Sequence, residues 1–220
     1  MLVTALFLLL LVSYALINRY NSTAGRDLAV LKWGVDDLTP FCPYMIYFYV
    51  SWYLQLALLA WHIWCNPTAK ATHHFKLMVG ISSLGMALAQ VIFIVYPTWC
   101  SRENVDLSGV DPLTVLIFNR LHSADAPTNC WPSSHVLISA LFAFYYTYYL
   151  VSTRLYGRGK TVVLCVLVWI WSIGIWLSTV SIKQHFWPDV VGGLVIAGLV
   201  ILFERLYQCR RSRRIEHNVL

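Results

Sequence analysis

Two histidine-centred clusters stand about fifty residues apart in this 220-residue chain: Asn129-Cys-Trp-Pro-Ser-Ser-His135 and Ser181-Ile-Lys-Gln-His-Phe-Trp-Pro-Asp189. A neutral imidazole attacks phosphorus well when a carboxylate keeps its other nitrogen protonated and aimed. Asp189, four residues after His185, suits that task, and Pro188 fits the first turn of a helix that would begin there. Alone, the pair reads first as a wet loop histidine beside a helix-capping aspartate. The second cluster tips the balance toward a built site.

Pro132-Ser133-Ser134-His135 brings hydroxyls, backbone N–H groups and an imidazole to the start of an apolar segment. Helix N-termini bind anions because their first amides lack intrahelical partners and the macrodipole is positive there. Asn129, Ser133 and Ser134 are therefore expected to hold phosphate oxygens, and His135 to protonate a departing alkoxide. The plainer role for His135 is a cap satisfied by loop carbonyls. Lys183 and Arg102 are the expected cations for the phosphate, with Arg120 as runner-up, and Asp125 orients a cation or shapes the turn before the cluster.

The elements that must carry these groups are membrane spans. With 59% hydrophobic and 12% charged residues, the chain is far from a soluble domain, in which about a quarter of residues are charged. The fold class expected is an all-α integral membrane protein, one six-helix bundle over residues 1–220 with no separate domain. Spans are predicted near 2–18, 43–65, 75–97, 132–152, 161–180 and 188–207, since a crossing takes about 20 apolar residues. Segment 98–131 reads as the longest polar loop.

Lys70 and Lys76, then Arg154, Arg158 and Lys160, then Arg205, Arg210, Arg211, Arg213 and Arg214 share one side if six spans alternate. Positive charge marks the cytoplasmic side, which places both termini there and both histidine clusters at the extracytoplasmic face. Arg19 alone pulls the other way. Compact size favours a bacterial plasma membrane, with an internal eukaryotic membrane as the alternative. The net charge of +6 is not interleaved along a face as a nucleic-acid footprint would be, so no nucleic-acid partner is expected.

Six cysteines without CxxC spacing or zinc-like Cys/His pairing point to no metal site. Cys100 and Cys130 are either packing thiols or, in an oxidising compartment, a disulfide. Among the remaining polar features, His73-His74 reads as a solvated loop, Asp36-Asp37 as a cap or turn, Tyr145 to Tyr149 as an interfacial aromatic belt, and Asn21-Ser22-Thr23 as a formal glycosylation sequon.

The two clusters resemble motifs of the type 2 phosphatidic acid phosphatase (PAP2) superfamily. Its second motif, Pro-Ser-Gly-His, matches Pro132-Ser133-Ser134-His135. Its third, Ser-Arg, five residues, His, three residues, Asp, matches Ser178-Thr179 with His185 and Asp189. Within it the chain is similar to a branch that includes inositol phosphorylceramide synthase-like proteins, through Pro40-Phe41, Pro43, Ser51-Trp52-Tyr53, Tyr96-Pro97-Thr98, Arg102, Asp125-Ala126-Pro127 and Lys183-Gln184-His185. Thr179 stands where the family has arginine, Ser134 where it has glycine, and the first motif, Lys, six residues, Arg-Pro, is reduced to Arg102-Glu103.

The resemblance implies the haloperoxidase-like bundle and a phosphohistidine mechanism without metal or other cofactor. His185 would be the nucleophile, Asp189 its orienter and His135 the general acid, with Ser133, Lys183 and Arg102 stabilising the phosphoryl oxygens. The expected activity is hydrolysis of a lipid phosphomonoester or diphosphate. The alternative is transfer of a phospho-headgroup to a lipid alcohol, and a non-catalytic lipid-binding protein is a distant third.

Overall fold

The computed structural model describes residues 2–23, 28–66, 68–102 and 105–219, with side chains from Thr4 to Ser212. All regular elements among them are helical: α1 (Leu2–Thr23), α2 (Gly34–Leu38), α3 (Ile46–Trp64), α4 (Ala69–Val95), α5 (Pro112–Ala124), α6 (Ser134–Thr153), α7 (Arg158–Ser181) and α8 (Trp187–Val219). Two isolated bridges, Ala29 with Thr98 and Trp99 with Thr128, supply the only strand-like pairing described. Six helices, all but α2 and α5, are long and apolar enough to cross a membrane. The chain is an integral membrane protein.

α6 is the central helix. Leu137, Ile138, Leu141, Phe142, Tyr145 and Tyr149 bury all round it, and α4, α7, α8 and α3 pack against its flanks. A helix apolar on every face has no reason to prefer one neighbour, and that suits a central position. α1 leans on α4 and shows much of its length outward, including Leu8, Leu9, Val12 and Leu16. Exposed leucines and valines of this kind on α1, α7 and α8 need a lipid solvent.

Both histidine clusters fall at one end of the bundle. Lys70, Arg154, Arg158, Arg205 and Arg210 fall at the other, here called the basic end; the side chains of Arg213 and Arg214 lie outside the described residues.

The expected spans are present, and four local expectations change. The loop predicted at 98–131 contains α5, started by Asp111, whose carboxylate accepts from the Leu113 and Thr114 amides, with Pro112 in the first turn. α4 begins one to two turns before residue 75, because the Thr68 hydroxyl accepts from the Ala71 amide and caps it. His73 and His74 are therefore helical, and His74 is buried rather than solvated. Tyr145, Tyr146 and Tyr149 are buried too, so the tyrosine run is core packing and not a lipid-facing belt. The sequon fails sterically: Asn21 is buried, and its amide donates to the Phe93 carbonyl (2.9 Å) and to Asn129 Oδ1 (2.7 Å).

Candidate active site

Residues 182–186 turn back sharply after α7. The Thr179 carbonyl accepts from both the Gln184 and His185 amides at 3.0 Å, which draws His185 back against the end of the helix. Asp189 then does two jobs. Its Oδ2 accepts from the Phe186 amide (2.9 Å) as a cap for α8 and from His185 Nδ1 (3.2 Å). Capping and orienting are thus one carboxylate's work, with His185 and Asp189 both buried. Held this way, the ring carries its proton on Nδ1 and presents the Nε2 lone pair.

The second cluster is tied to the first through the backbone: the Ser133 amide donates to the Asp189 carbonyl (3.0 Å). α8 comes this close because of two glycines. A Cβ at Gly193 would stand 2.8 Å from the Ser133 carbonyl oxygen, and one at Gly192 would collide with Trp131 Nε1. His135, in the first turn of α6, stacks on Tyr49 (4.2 Å between centroids) and tilts against Trp52 (4.7 Å), and its ring centre is 6.2 Å from that of His185. A gap of this size between imidazoles suits one tetrahedral group reached by both.

Donors around this gap are unused. Eight buried side-chain polar atoms among the described residues lack a partner, and five of them belong to Trp52, Asn129, Ser133, Ser134 and His135. Ser133 occupies the cap position of α6 yet makes no capping bond, so its hydroxyl and the opening amides of the helix are left for another acceptor. Buried donors are normally satisfied, and an unsatisfied one costs about 1–3 kcal/mol. Four such atoms lie in one run, Asn129 to His135, at the N-terminus of α6, where a helix favours an anion.

Asn129 is aimed by residues the motifs do not reveal. It adopts a left-handed backbone (φ 59°), and its Oδ1 is taken by Asn21, so Nδ2 is the free end. Asn18, one turn earlier on α1, donates to the Ala126 and Thr128 carbonyls and accepts from the Ala126 amide. Two asparagines near the end of an apolar span were the only signal for this clamp.

The expected cations divide. Arg102 comes to the site: its Nη2 donates to the Asp125 carbonyl (2.8 Å), and its charge acts on Asp125 and Tyr49. Glu103, beside it, lies outside the described residues. Lys183 turns away. Its Nζ donates to the Thr39 and Asp36 carbonyls, lining a separate cavity of about 150 Å³ with Lys32, Asp37 and Phe186. Arg120 is exposed on α5. Thr179 is buried with its hydroxyl returned to the Trp176 carbonyl, so it offers nothing in place of the family's arginine.

Asp36 caps α2 as expected, accepting from the Trp33 amide, and also accepts from the Trp187 amide (2.8 Å each), which joins α2 to the start of α8. Cys100 and Cys130 are free, buried thiols in contact, and that contact together with burial pushes the Cys130 thiol well up. Cys130, His185 and Asp189 bring their ligating atoms within 4.8 Å of one another. The fold thus gathers a potential ligand set that the spacing of the cysteines hides. The bonds already made, His185 to Asp189 and Cys130 to the Pro127 carbonyl (3.5 Å), account for its closeness.

A cavity of about 240 Å³ opens from His135 and Ser134 and runs past Tyr14, Tyr49, Trp52 and Asp125, between α1, α3 and α5. Its wall is mostly apolar, and α1 and α3 do not pack closely where it lies. Burial pushes the Asp125 carboxyl up, with Arg102 and then His185 pulling the other way.

No curated protein and no solved structure matches the chain. The PAP2 superfamily profile matches residues 5–213, nearly the whole chain and all of the site just described. The family carries phosphatase-type chemistry on a helical membrane bundle, and this chain belongs to the PAP2 superfamily.

Proposed function

We propose that the protein is a membrane lipid phosphatase that cleaves a lipid phosphomonoester or diphosphate through a phosphohistidine, without a metal ion. The observation that carries this is the set of unpartnered donors on Asn129, Ser133, Ser134 and His135, facing a buried His185–Asp189 pair.

Each group then has a task. The phosphoryl oxygens take hydrogen bonds from Asn129 Nδ2, the two serine hydroxyls and the first amides of α6, with Arg102 supplying charge. His185 Nε2 attacks phosphorus while Nδ1–H stays on Asp189, whose negative charge stabilises the ring as it becomes positive. The bond from phosphorus to the alcohol oxygen breaks, and His135 gives its proton to that oxygen. In the second half His135 takes a proton from water, which attacks phosphorus. The N–P bond breaks, releasing phosphate and restoring His185.

The apolar cavity beside His135 suits the tail of the leaving alcohol, reached laterally from the lipid between α1 and α3. It equally suits a lipid alcohol arriving as acceptor, which is the specific support for the second reading, headgroup transfer of the inositol phosphorylceramide synthase-like kind. The excess of lysine and arginine at the basic end supports an extracytoplasmic site and cytoplasmic termini. Lys183, held by two carbonyls, serves the phosphate only after release from them.

The test is phosphate release by the purified protein in detergent with a chelator, over phosphatidic acid, phosphatidylglycerol phosphate and a polyprenyl diphosphate, beside His185→Ala. Release that vanishes in the variant supports the reading. Release from none of them, with headgroup transfer to an added lipid alcohol, replaces it with the second.

A further inference from the structure

Cys100 and Cys130 are a buried pair of thiols that the phosphoryl chemistry does not use. Their side chains meet beside the site, packed with Phe186. The contacts of the pair reach both sides of the nucleophile. The Cys100 thiol points at the Lys183 carbonyl (3.8 Å), Phe186 follows His185 directly, and the Cys130 sulfur lies within 4.8 Å of ligating atoms of His185 and Asp189.

The main chain already sets the two cysteines side by side. Trp99 and Thr128 form an antiparallel bridge, the Cys100 amide donates to the Pro127 carbonyl (3.1 Å), and the Trp131 amide donates to the Thr98 hydroxyl (2.7 Å). Two cysteines can be joined only where the backbone brings them this near. The segment between them carries Arg102, α5 and Asn129. A bond from Cys100 to Cys130 would therefore close a ring that holds two of the groups assigned to the phosphate.

We propose that Cys100 and Cys130 form a disulfide in the membrane and that this bond fixes the segment from Arg102 to Asn129 against His185. It rests on the extracytoplasmic placement of the site, since thiols facing the cytoplasm stay reduced. The oxidant is a small-molecule or protein disulfide of that compartment. Each cysteine gives up one proton and one electron, the S–S bond forms, and the incoming disulfide takes two of each and leaves as two thiols. With both sulfurs buried, the exchange belongs to folding, before residues 98–131 close over them. The finished bond then restrains the loop it closes.

The experiment reads the thiols directly, so that it stands apart from turnover. Membranes from cells making the full chain are quenched in acid and dissolved in denaturant with N-ethylmaleimide, which caps every free thiol. Reduction and a second alkylating reagent then mark the thiols that were bonded, and peptides are read by mass spectrometry. Cys100 and Cys130 should both carry the second reagent, and an unreduced sample should yield their two peptides cross-linked. In detergent, Cys100→Ala and Cys130→Ala should each lower the thermal midpoint by about 5–10 °C and phosphate release by at least about threefold. Reductant should bring the wild type to the same values once its bond is open, and should leave both variants unchanged. If the alanine variants do not fold, the wild type with and without reductant decides alone. Maleimide on both cysteines, a bond from either to a different cysteine, or an opened bond that changes neither midpoint nor rate overturns the proposal. A disulfide in protein that releases phosphate from no lipid refutes the hydrolase reading alone, and phosphate release with both thiols free refutes the disulfide alone.

Discussion

At the basic end of the bundle His62 lies between two phenols, bonded to Tyr146 through Nδ1 (2.9 Å) and to Tyr156 through Nε2 (2.8 Å). Close by in the fold, buried Glu204 accepts from Tyr145 (3.2 Å), and His74 Nε2 meets Ser152 (2.9 Å). At the opposite end His135 is just as enclosed by aromatic rings, on Tyr49 and Trp52, yet its Nε2 has no partner, nor have the side chains of Asn129, Ser133 and Ser134 their full complement. The same residue types are used in both places. His74 Nδ1 is the exception among the described residues at the basic end. A polar cluster that closes on itself is part of the structure, while one left open in four neighbouring residues is waiting for something that brings acceptors. Histidine content alone would not have told the two ends apart.

The largest effect is expected at His185. His185→Ala is expected to lower phosphate release by at least about 10³-fold, and Asp189→Asn to come close to it, since the neutral amide neither fixes the Nδ1–H tautomer nor balances the charge that develops on the ring. Residual release within tenfold of wild type would show that the open end is not where phosphorus is attacked. His135→Gln should cost about 10²–10⁴-fold on an alkyl phosphate. On p-nitrophenyl phosphate, whose leaving group needs no proton, the same variant should lose far less. An equal loss on both substrates would remove His135 from general-acid duty and leave it a packing residue.

How much of this was legible beforehand depends on whether a residue's partner is near in sequence. His185 and Asp189 are one helical turn apart, and Ser133 to His135 are consecutive, so both clusters, the six spans and the end of the bundle they share could be read directly. Lys183 could not. Its distance from His185 suggests a shared target, but its backbone is left-handed (φ 60°) and its side chain runs to Thr39 and Asp36, about 145 residues away in the chain. Asn18 and Asn21 were missed for the mirror reason. Each is a lone amide near the end of an apolar helix, and its role exists only once α1 packs beside residues 126–129. α5 was hidden by composition, since a 13-residue helix between polar turns is too short to register as a span.

Gly193 sets how closely the two clusters approach. Its missing side chain lets α8 approach α6 where the Ser133 amide meets the Asp189 carbonyl. Gly193→Ala puts a methyl 2.8 Å from a backbone oxygen that has little freedom to retreat, and overpacking of this kind costs about 1–3 kcal/mol. The expected result is a fall of about tenfold or more in kcat, through a longer His135 to His185 separation. Gly198→Ala, on the same helix with open space around it, is the control and should behave as wild type. A Gly193 variant with unchanged kcat would mean that the two clusters tolerate a wider gap than their backbone bond implies.

His62 gives the smallest effect on activity and the most direct test of what a closed network is for. His62→Phe keeps a flat aromatic ring and removes both nitrogens, leaving the Tyr146 and Tyr156 hydroxyls without that partner. Tyr146 is buried, so its stranded hydroxyl should lower stability by about 1–3 kcal/mol, read as a lower midpoint in a thermal or denaturant titration of the detergent-solubilised protein. Activity below the transition should stay within about twofold of wild type, because nothing at the basic end reaches phosphorus. If instead activity falls tenfold while the midpoint holds, the division drawn between the two ends is wrong: the network around His62 would then be coupled through α6 to His135, whose carbonyl and ring sit at the far end of that helix.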